Sequence, residues 1–153
     1  MPVASADSSA PRSMLLAVCL LGLAAALMVV GLESGLVIRH VVQIVPIVGA
    51  LAVSLRRPRW AAYAAIPMFA IWLLISGLIW SFLLGISRVL TGEFTPVEIA
   101  CTIVMGASGL LGIMASLVAA RPFQARHLAT VLLGFALQVA AVVISVQPAI
   151  AAR

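Results

Sequence analysis

MLLAVCLLGLAAALMVVGL, residues 14–32, is an apolar run without a charged side chain. A helix needs about 20 apolar residues to cross the ~30 Å hydrocarbon core of a bilayer, so this run has the length of one membrane span. Four further apolar runs follow it, at residues 36–55, 60–86, 96–120 and 128–147. We therefore predict an all-α fold, a polytopic transmembrane bundle of five helices.

The composition supports a membrane protein and argues against a soluble one. Of the 153 residues, 65% are hydrophobic and 8% are charged, whereas soluble domains carry about 25% charged residues. We predict a flexible amino-terminal tail at residues 1–13 and a single transmembrane helical domain at residues 14–150. The net charge of +5 comes from arginines dispersed along the chain, so the predicted partner is the lipid bilayer and not nucleic acid.

The arginines also indicate an orientation, because cytoplasmic connections between spans are enriched in positive charge. Alternating connections divide the arginines into a larger group, Arg12, Arg56, Arg57, Arg59, Arg121 and Arg126, and a smaller one, Arg39, Arg88 and Arg153. The larger group is predicted to be cytoplasmic, which places the amino terminus inside. The expected location is a bacterial cytoplasmic (inner) membrane.

Local signals mark helix ends and kinks. Thr95-Pro96-Val97-Glu98 has the pattern of a capping box, so we assign Glu98 to the start of the fourth helix. Pro46 and Pro67 lie inside the second and third runs, where each removes a backbone hydrogen bond. A packing kink and a gating hinge both remain open for these prolines.

Small residues spaced four apart indicate where membrane helices approach closely. Two such seams are predicted: Gly77, Ser81 and Gly85 in the third run, and Ser108, Gly112 and Ser116 in the fourth. Gly134 in the fifth run is a further predicted packing position. Gly112 and Gly134 fall at similar depths, roughly 10–12 Å at 1.5 Å per residue, so the inner halves of the fourth and fifth helices are expected to pack together. The third-run seam faces either the second helix or another subunit, and we expect a homo-oligomer or other membrane subunits.

One polar face interrupts the second run. Arg39, His40 and Gln43 share an arc of about 100° on a helix, and depth counting places Trp80, Ser81 and Thr102 at a similar level. These six residues are the candidate ligand-binding pocket, facing outward. Arg39 could instead reach the headgroups by snorkelling. His40 and Gln43 could equally belong to a hydrogen-bond network that locks the second helix to its neighbours, as predicted for Gln138 in the fifth.

Enzyme and metal motifs are absent from the sequence: there is no cysteine cluster, His-Glu-x-x-His, phosphate loop or serine nucleophile motif. No catalytic residue, metal ligand or cofactor is therefore assigned. His40 and His127 lie near opposite faces, which excludes a haem shared by both within one chain. Cys19 and Cys101 are separated in the same way and cannot form a disulfide.

Three functional hypotheses follow from the sequence. The first is a non-enzymatic interaction or accessory subunit of a membrane assembly, based on the small-residue seams. The second is a small-solute or ion transporter or channel, based on the polar face of the second helix and on Pro46 and Pro67. The third is a membrane redox or lipid-modifying enzyme subunit, based on His40 alone.

Overall fold

The computed structural model describes residues 10–89, 92–120 and 122–151, and helices account for most of these ranges. The helices are α1 Ala10–Glu33, α2 Val37–Arg56, α3 Pro58–Leu83, α4 Pro96–Ala119, α5 Leu128–Ser145 and a short α6 Pro148–Ala151, with a 3₁₀ turn at Ala125–His127 before α5. No strand occurs within the described ranges. Five of these helices are long and apolar enough to cross a membrane. The predicted all-α fold with five spans is confirmed.

The helix limits differ from the predicted runs where apolarity and helicity do not coincide. α1 already begins at Ala10, before the predicted boundary at residue 14, and residues 1–9 of the predicted tail lie outside the described residues. α3 ends at Leu83, although the apolar run continues to Ile86. Gly85 has a φ of +72°. This left-handed conformation commonly ends helices, and residues other than glycine rarely adopt it.

The five long helices form a closed bundle with two distinct ends. α1 packs on α2 and α4, while α3 packs on α4, α5 and α2, and α5 also packs on α2. We name one end the carboxylate end, because the connections after α1 and α3 lie there with Glu33, Glu93 and Glu98. We name the opposite end the arginine end, because it contains Arg56, Arg57, Arg59 and Arg126. The side chains of Arg12, Arg121 and Arg153 lie outside the described part of the chain.

The core is built on a leucine stripe of α1. Leu16, Leu20, Leu23 and Leu27 recur at helical spacing and are each at most 1% exposed. They belong to one buried cluster that also contains Phe69 and several alanines of α3. Because alanine has little side-chain volume, those positions let the helices approach closely, as membrane packing requires.

The predicted glycine seams have different surroundings in the bundle. A Cβ at Gly112 would lie 2.4 Å from the Phe69 ring, and one at Gly134 would lie 2.3 Å from the Ala64 carbonyl oxygen. Both glycines therefore pack on α3, and the expected packing of α4 on α5 through them is wrong. Depth along a helix does not reveal which neighbour a residue faces. A Cβ at Gly77 would meet no atom within 4 Å.

The remaining seam residues are also placed. Ser108 of α4 faces α1, where its Oγ lies 2.9 Å from the Cβ position of Gly22. Ser116 is fully buried. Gly85 lies beyond the end of α3, so it is not part of a helical seam with Gly77.

Candidate functional site

A cavity of about 370 Å³ lies at the carboxylate end. Its wall includes residues of all five long helices. The polar or charged residues in that wall are Ser34, Arg39, His40, Gln43, Trp72 and Glu98, and most of the others are aliphatic. The cavity is deep: Trp72 lies about 16 Å along α3 from Leu83 at 1.5 Å per residue, close to the middle of a ~30 Å core.

Half of the predicted pocket lines this cavity. Arg39, His40 and Gln43 are in its wall, whereas Trp80, Ser81 and Thr102 are not. Ser81 donates a hydrogen bond to the Leu78 carbonyl oxygen at 2.8 Å. Thr102 donates in the same way to Ile99 at 2.7 Å. Both hydroxyls therefore have hydrogen-bond partners within their own helices. The prediction failed for these residues because side chains at equal depth need not face the same cavity.

Ser34, Trp72 and Glu98 line the cavity but are not among the predicted pocket residues. Of these, Trp72 lies within an apolar run, yet tryptophan in membrane helices concentrates at the interfaces. Its position in the middle of the third run, four residues before Ser76, was the available signal. Trp72 is 4% exposed and lines the cavity.

His40 has its orientation set by its own helix and by α1. Its Nδ1 lies 2.9 Å from the Leu36 carbonyl oxygen; since a carbonyl only accepts, Nδ1 carries the proton. In the neutral ring Nε2 is then the acceptor. A Cβ at Gly31 of α1 would lie 2.8 Å from His40 Cβ. Gly31 therefore makes room for this histidine in the wall.

Gln43 is engaged in a network between α2 and α5. Its Nε2 donates to Ser145 Oγ at 2.8 Å, and Ser145 Oγ donates to the Val142 carbonyl oxygen at 2.7 Å. Gln138 Nε2 donates to the backbone oxygen of Gln43 at 3.3 Å. The prediction that Gln138 makes an interhelical hydrogen bond is confirmed. Gln43 thus has a structural partner, as the network alternative expects.

Arg39 and Trp72 each carry a buried N–H group without an acceptor in the described part of the chain. Within the described residues, four buried side-chain polar atoms have no hydrogen-bond partner: Arg39 Nε, Trp72 Nε1, Ser116 Oγ and Gln138 Oε1. The first two belong to residues of the cavity wall. Buried polar atoms in proteins are nearly always hydrogen-bonded to protein or to ordered water.

Glu98 has a defined structural role and also borders the cavity. The Thr95 N–H donates to Glu98 Oε2 at 2.9 Å, and the Glu98 N–H donates to Thr95 Oγ1 at 3.2 Å. The predicted capping box at the start of α4 is confirmed. The cavity wall therefore contains one guanidinium, from Arg39, and one carboxylate that the helix start holds in place.

A second polar cluster closes the arginine end. The Tyr63 ring stacks on His127 with centroids 4.1 Å apart, and Trp60 meets His127 edge-on at 5.3 Å. The Tyr63 hydroxyl donates to the Ala120 carbonyl oxygen and lies 3.0 Å from that of Pro122. His127 Nδ1 accepts from the Gln124 N–H at 3.1 Å. These contacts tie the connection between α4 and α5 to α3.

No cluster of three or more His, Cys, Asp or Glu side chains suited to a metal ion occurs in residues 10–89, 92–120 and 122–151. Cys19 and Cys101 are buried free thiols. No protein-family model matches the chain, and neither a curated protein nor a solved structure is significantly similar to it.

Proposed function

We propose that this integral membrane protein binds a small polar solute in the cavity at the carboxylate end, as a transport or solute-binding subunit. The observation that carries the proposal is the pair of unpartnered N–H groups, Arg39 Nε and Trp72 Nε1, in residues of one cavity wall. A solute with acceptor oxygens, such as a carboxylate, carries the kind of group that both donors lack. A charge-assisted hydrogen bond to arginine is about twice as strong as a neutral one.

The environment supports binding more than catalysis. Arg39 supplies the positive charge, and His40 carries its proton on the nitrogen that faces its own helix backbone. Gln43 is held by Ser145 and so shapes the wall without needing a solute. The aliphatic remainder of the wall excludes competing water, which strengthens the polar contacts that a solute makes.

The test uses Trp72 as its own reporter. The chain has three tryptophans, so a Trp60→Phe/Trp80→Phe background leaves Trp72 alone to emit. The protein is placed in nanodiscs and titrated with small carboxylates, inorganic phosphate and neutral amides. We expect the carboxylates to shift Trp72 emission saturably. Arg39→Gln should weaken their binding roughly tenfold or more, the loss expected for a hydrogen bond to a charged group.

Arg88→Gln is the matched control, because Arg88 is an exposed arginine near the same end and is not in the cavity wall. It should leave the titration unchanged. The proposal is contradicted if none of the solutes alters Trp72 emission, or if Arg39→Gln and Arg88→Gln behave alike. Flux of a bound solute into vesicles then separates a transporter from a binding subunit.

The second candidate is the interaction or accessory subunit predicted from the sequence, working as an oligomer. Gly77 favours it, because this exposed glycine of α3 leaves an open notch where a Cβ would meet nothing within 4 Å. Ser81 follows it one turn later. A helix of another chain could approach closely along this line.

Native mass measurement after mild detergent extraction tests the second candidate. We expect an assembly larger than one chain, which Gly77→Leu dissociates. Ala136→Leu on α5 is the control, since Ala136 is also a small exposed residue within a span. A lone chain in the mildest detergent, or equal assembly of both variants, contradicts this candidate.

The membrane in which the protein resides and its orientation there are also part of our proposal, whichever candidate function holds. We assign the protein to a bacterial cytoplasmic membrane with the amino terminus and the arginine end inside. The support is the number of arginines at that end, following the positive-inside bias. Reporter fusions at each terminus should show the amino-terminal reporter in the cytoplasm and the carboxy-terminal one outside.

A further inference from the structure

The arginine end contains an apolar groove of about 430 Å³ formed by α2, α3 and α5. On α2 it follows Val45, Gly49 and Val53, one residue per helical turn, and α5 contributes Gly134 and Leu137. Four of these five residues are exposed, with only Gly134 buried. The groove therefore opens sideways toward the region where lipid would lie.

The dimensions and chemistry of the groove suit a hydrocarbon chain. Its α2 wall is about 12 Å long, close to the ~15 Å depth of one leaflet of the hydrocarbon core. The Trp60 indole and the Thr130 hydroxyl are the only polar side-chain groups in its lining. A Cβ at Gly49 would meet no atom within 4 Å, so this glycine leaves space that no part of the described chain fills.

A second, positively charged cavity adjoins the groove. It has a volume of about 580 Å³ and is lined by Ala52, Val53, Leu55, Arg56 and Arg57, so that Val53 belongs to both cavities. Arg56 and Arg57 are exposed. The carboxylates of the described residues all lie at the opposite end, so none of them neutralises this charge: Glu33, Glu93 and Glu98.

We propose that the groove and the adjoining cavity together bind one anionic phospholipid. Its phosphate contacts Arg56 and Arg57, and one acyl chain lies along Val45, Gly49 and Val53. Basic pockets between membrane helices bind anionic lipid headgroups, and the guanidinium fork matches phosphate oxygens in pairs. This site lies at the other end of the bundle from the solute cavity, and neither proposal depends on the other.

Quenching of Trp60 tests the site, because Trp60 lines the groove. A Trp72→Phe/Trp80→Phe background leaves Trp60 as the single fluorophore. The protein is reconstituted into phosphatidylcholine vesicles that contain a small fraction of brominated phosphatidylglycerol or, separately, brominated phosphatidylcholine. We expect the anionic lipid to quench Trp60 more strongly at equal content, and high salt to reduce the difference by screening.

Three variants separate charge from shape. Arg56→Gln/Arg57→Gln should lower the preference for phosphatidylglycerol roughly thirtyfold, since each arginine contributes about 1 kcal/mol and about 1.4 kcal/mol corresponds to tenfold. Gly49→Leu fills the groove and should lower it about threefold, a smaller effect because acyl chains are already in an apolar medium. Arg88→Gln, at the carboxylate end, should leave the preference unchanged.

Equal quenching by the two brominated lipids overturns the proposal, as does a preference that survives Arg56→Gln/Arg57→Gln. If Gly49→Leu instead dissociates a dimer in a native mass measurement and leaves quenching unchanged, the groove holds a helix of a second copy and the lipid assignment is wrong. Arg56 and Arg57 are exposed, so their variants are expected to fold, which circular dichroism checks.

Discussion

The two ends of the bundle use their buried polar groups differently. At the arginine end, the Tyr63 hydroxyl and His127 Nδ1 bond to the backbone of the connection between α4 and α5. At the carboxylate end, Gln43 has a partner on α5, but Arg39 Nε and Trp72 Nε1 have none. Within the described residues, the arginine end has one buried polar atom without a partner, Ser116 Oγ, whereas the carboxylate end has two N–H donors without a partner in residues of one cavity wall.

This difference bears on function because polar groups within a membrane are expensive. Tyr63 and His127 form hydrogen bonds that hold the connection between α4 and α5, as is usual for buried polar side chains. Donors without a partner are retained at a cost in stability. Such an excess at one end is the expected property of a binding site, and it is why the solute site is proposed there.

Gly134→Ala should give the largest loss of stability. The new Cβ would lie 2.3 Å from the Ala64 carbonyl oxygen and 2.9 Å from its Cα, and backbone cannot move aside cheaply. We expect about 3 kcal/mol, the upper part of the usual range for overpacking. The measurement is unfolding by SDS in mixed micelles, followed by circular dichroism.

Gly77→Ala is the matched substitution toward the carboxylate end. Its Cβ meets no atom within 4 Å, so it should be neutral or stabilise by up to about 1 kcal/mol through helix propensity. Similar losses for the two alanine variants would contradict the contrast between a glycine packed against the α3 backbone and a glycine with open space beside it.

Tyr63→Phe should cost about 1–2 kcal/mol, because it removes a buried hydroxyl and leaves the Ala120 carbonyl oxygen unpaired. Amide exchange at Gln124 should also speed up as the connection loosens. Ser34→Ala serves as the control at the other end. Its Oγ bonds to the Val30 carbonyl oxygen at 2.7 Å but is exposed, so a loss below about 0.5 kcal/mol is expected. An equal loss at both sites would contradict the assigned role of Tyr63.

The Gln43–Ser145 hydrogen bond should show a smaller coupling. A double-mutant cycle with Gln43→Ala and Ser145→Ala is expected to give about 0.6 kcal/mol, the average for such bonds between membrane helices. The same cycle with Gln43→Ala and Ser81→Ala should give no coupling, because Ser81 bonds within its own helix. Equal coupling in the two cycles would mean that the network does not join α2 to α5.

Much of the fold was predictable because length and apolarity decide it. The five spans follow from run lengths, and the capping box at Glu98 is a local pattern that needs no tertiary information. The neighbours of Gly112 and Gly134 were not predictable, since helix order around the bundle is set by packing over the whole chain. Both contact α3 instead of each other.

The candidate site was only half predictable for the same reason. Arg39, His40 and Gln43 share one helix, so helical periodicity alone groups them. Trp80 and Trp72 lie on the same helix, and depth counting selected the first while the second lines the cavity. To choose between Trp72 and Trp80, one must know which face of α3 lies against α2, and no sequence pattern within α3 specifies that face.

Trp72→Phe should have the smallest effect on stability and therefore gives the sharpest comparison. Removing an unpartnered buried N–H relieves a desolvation cost, which offsets the lost ring volume, so we expect a change within about 0.5 kcal/mol. Tyr63→Phe also removes one buried polar group, but a satisfied one, and should cost several times more. We also expect carboxylates to raise the melting temperature of the parent protein, and Trp72→Phe should abolish that rise. A loss as large as that of Tyr63→Phe would mean that Trp72 Nε1 has a partner in the membrane, and the two ends would then not differ in kind.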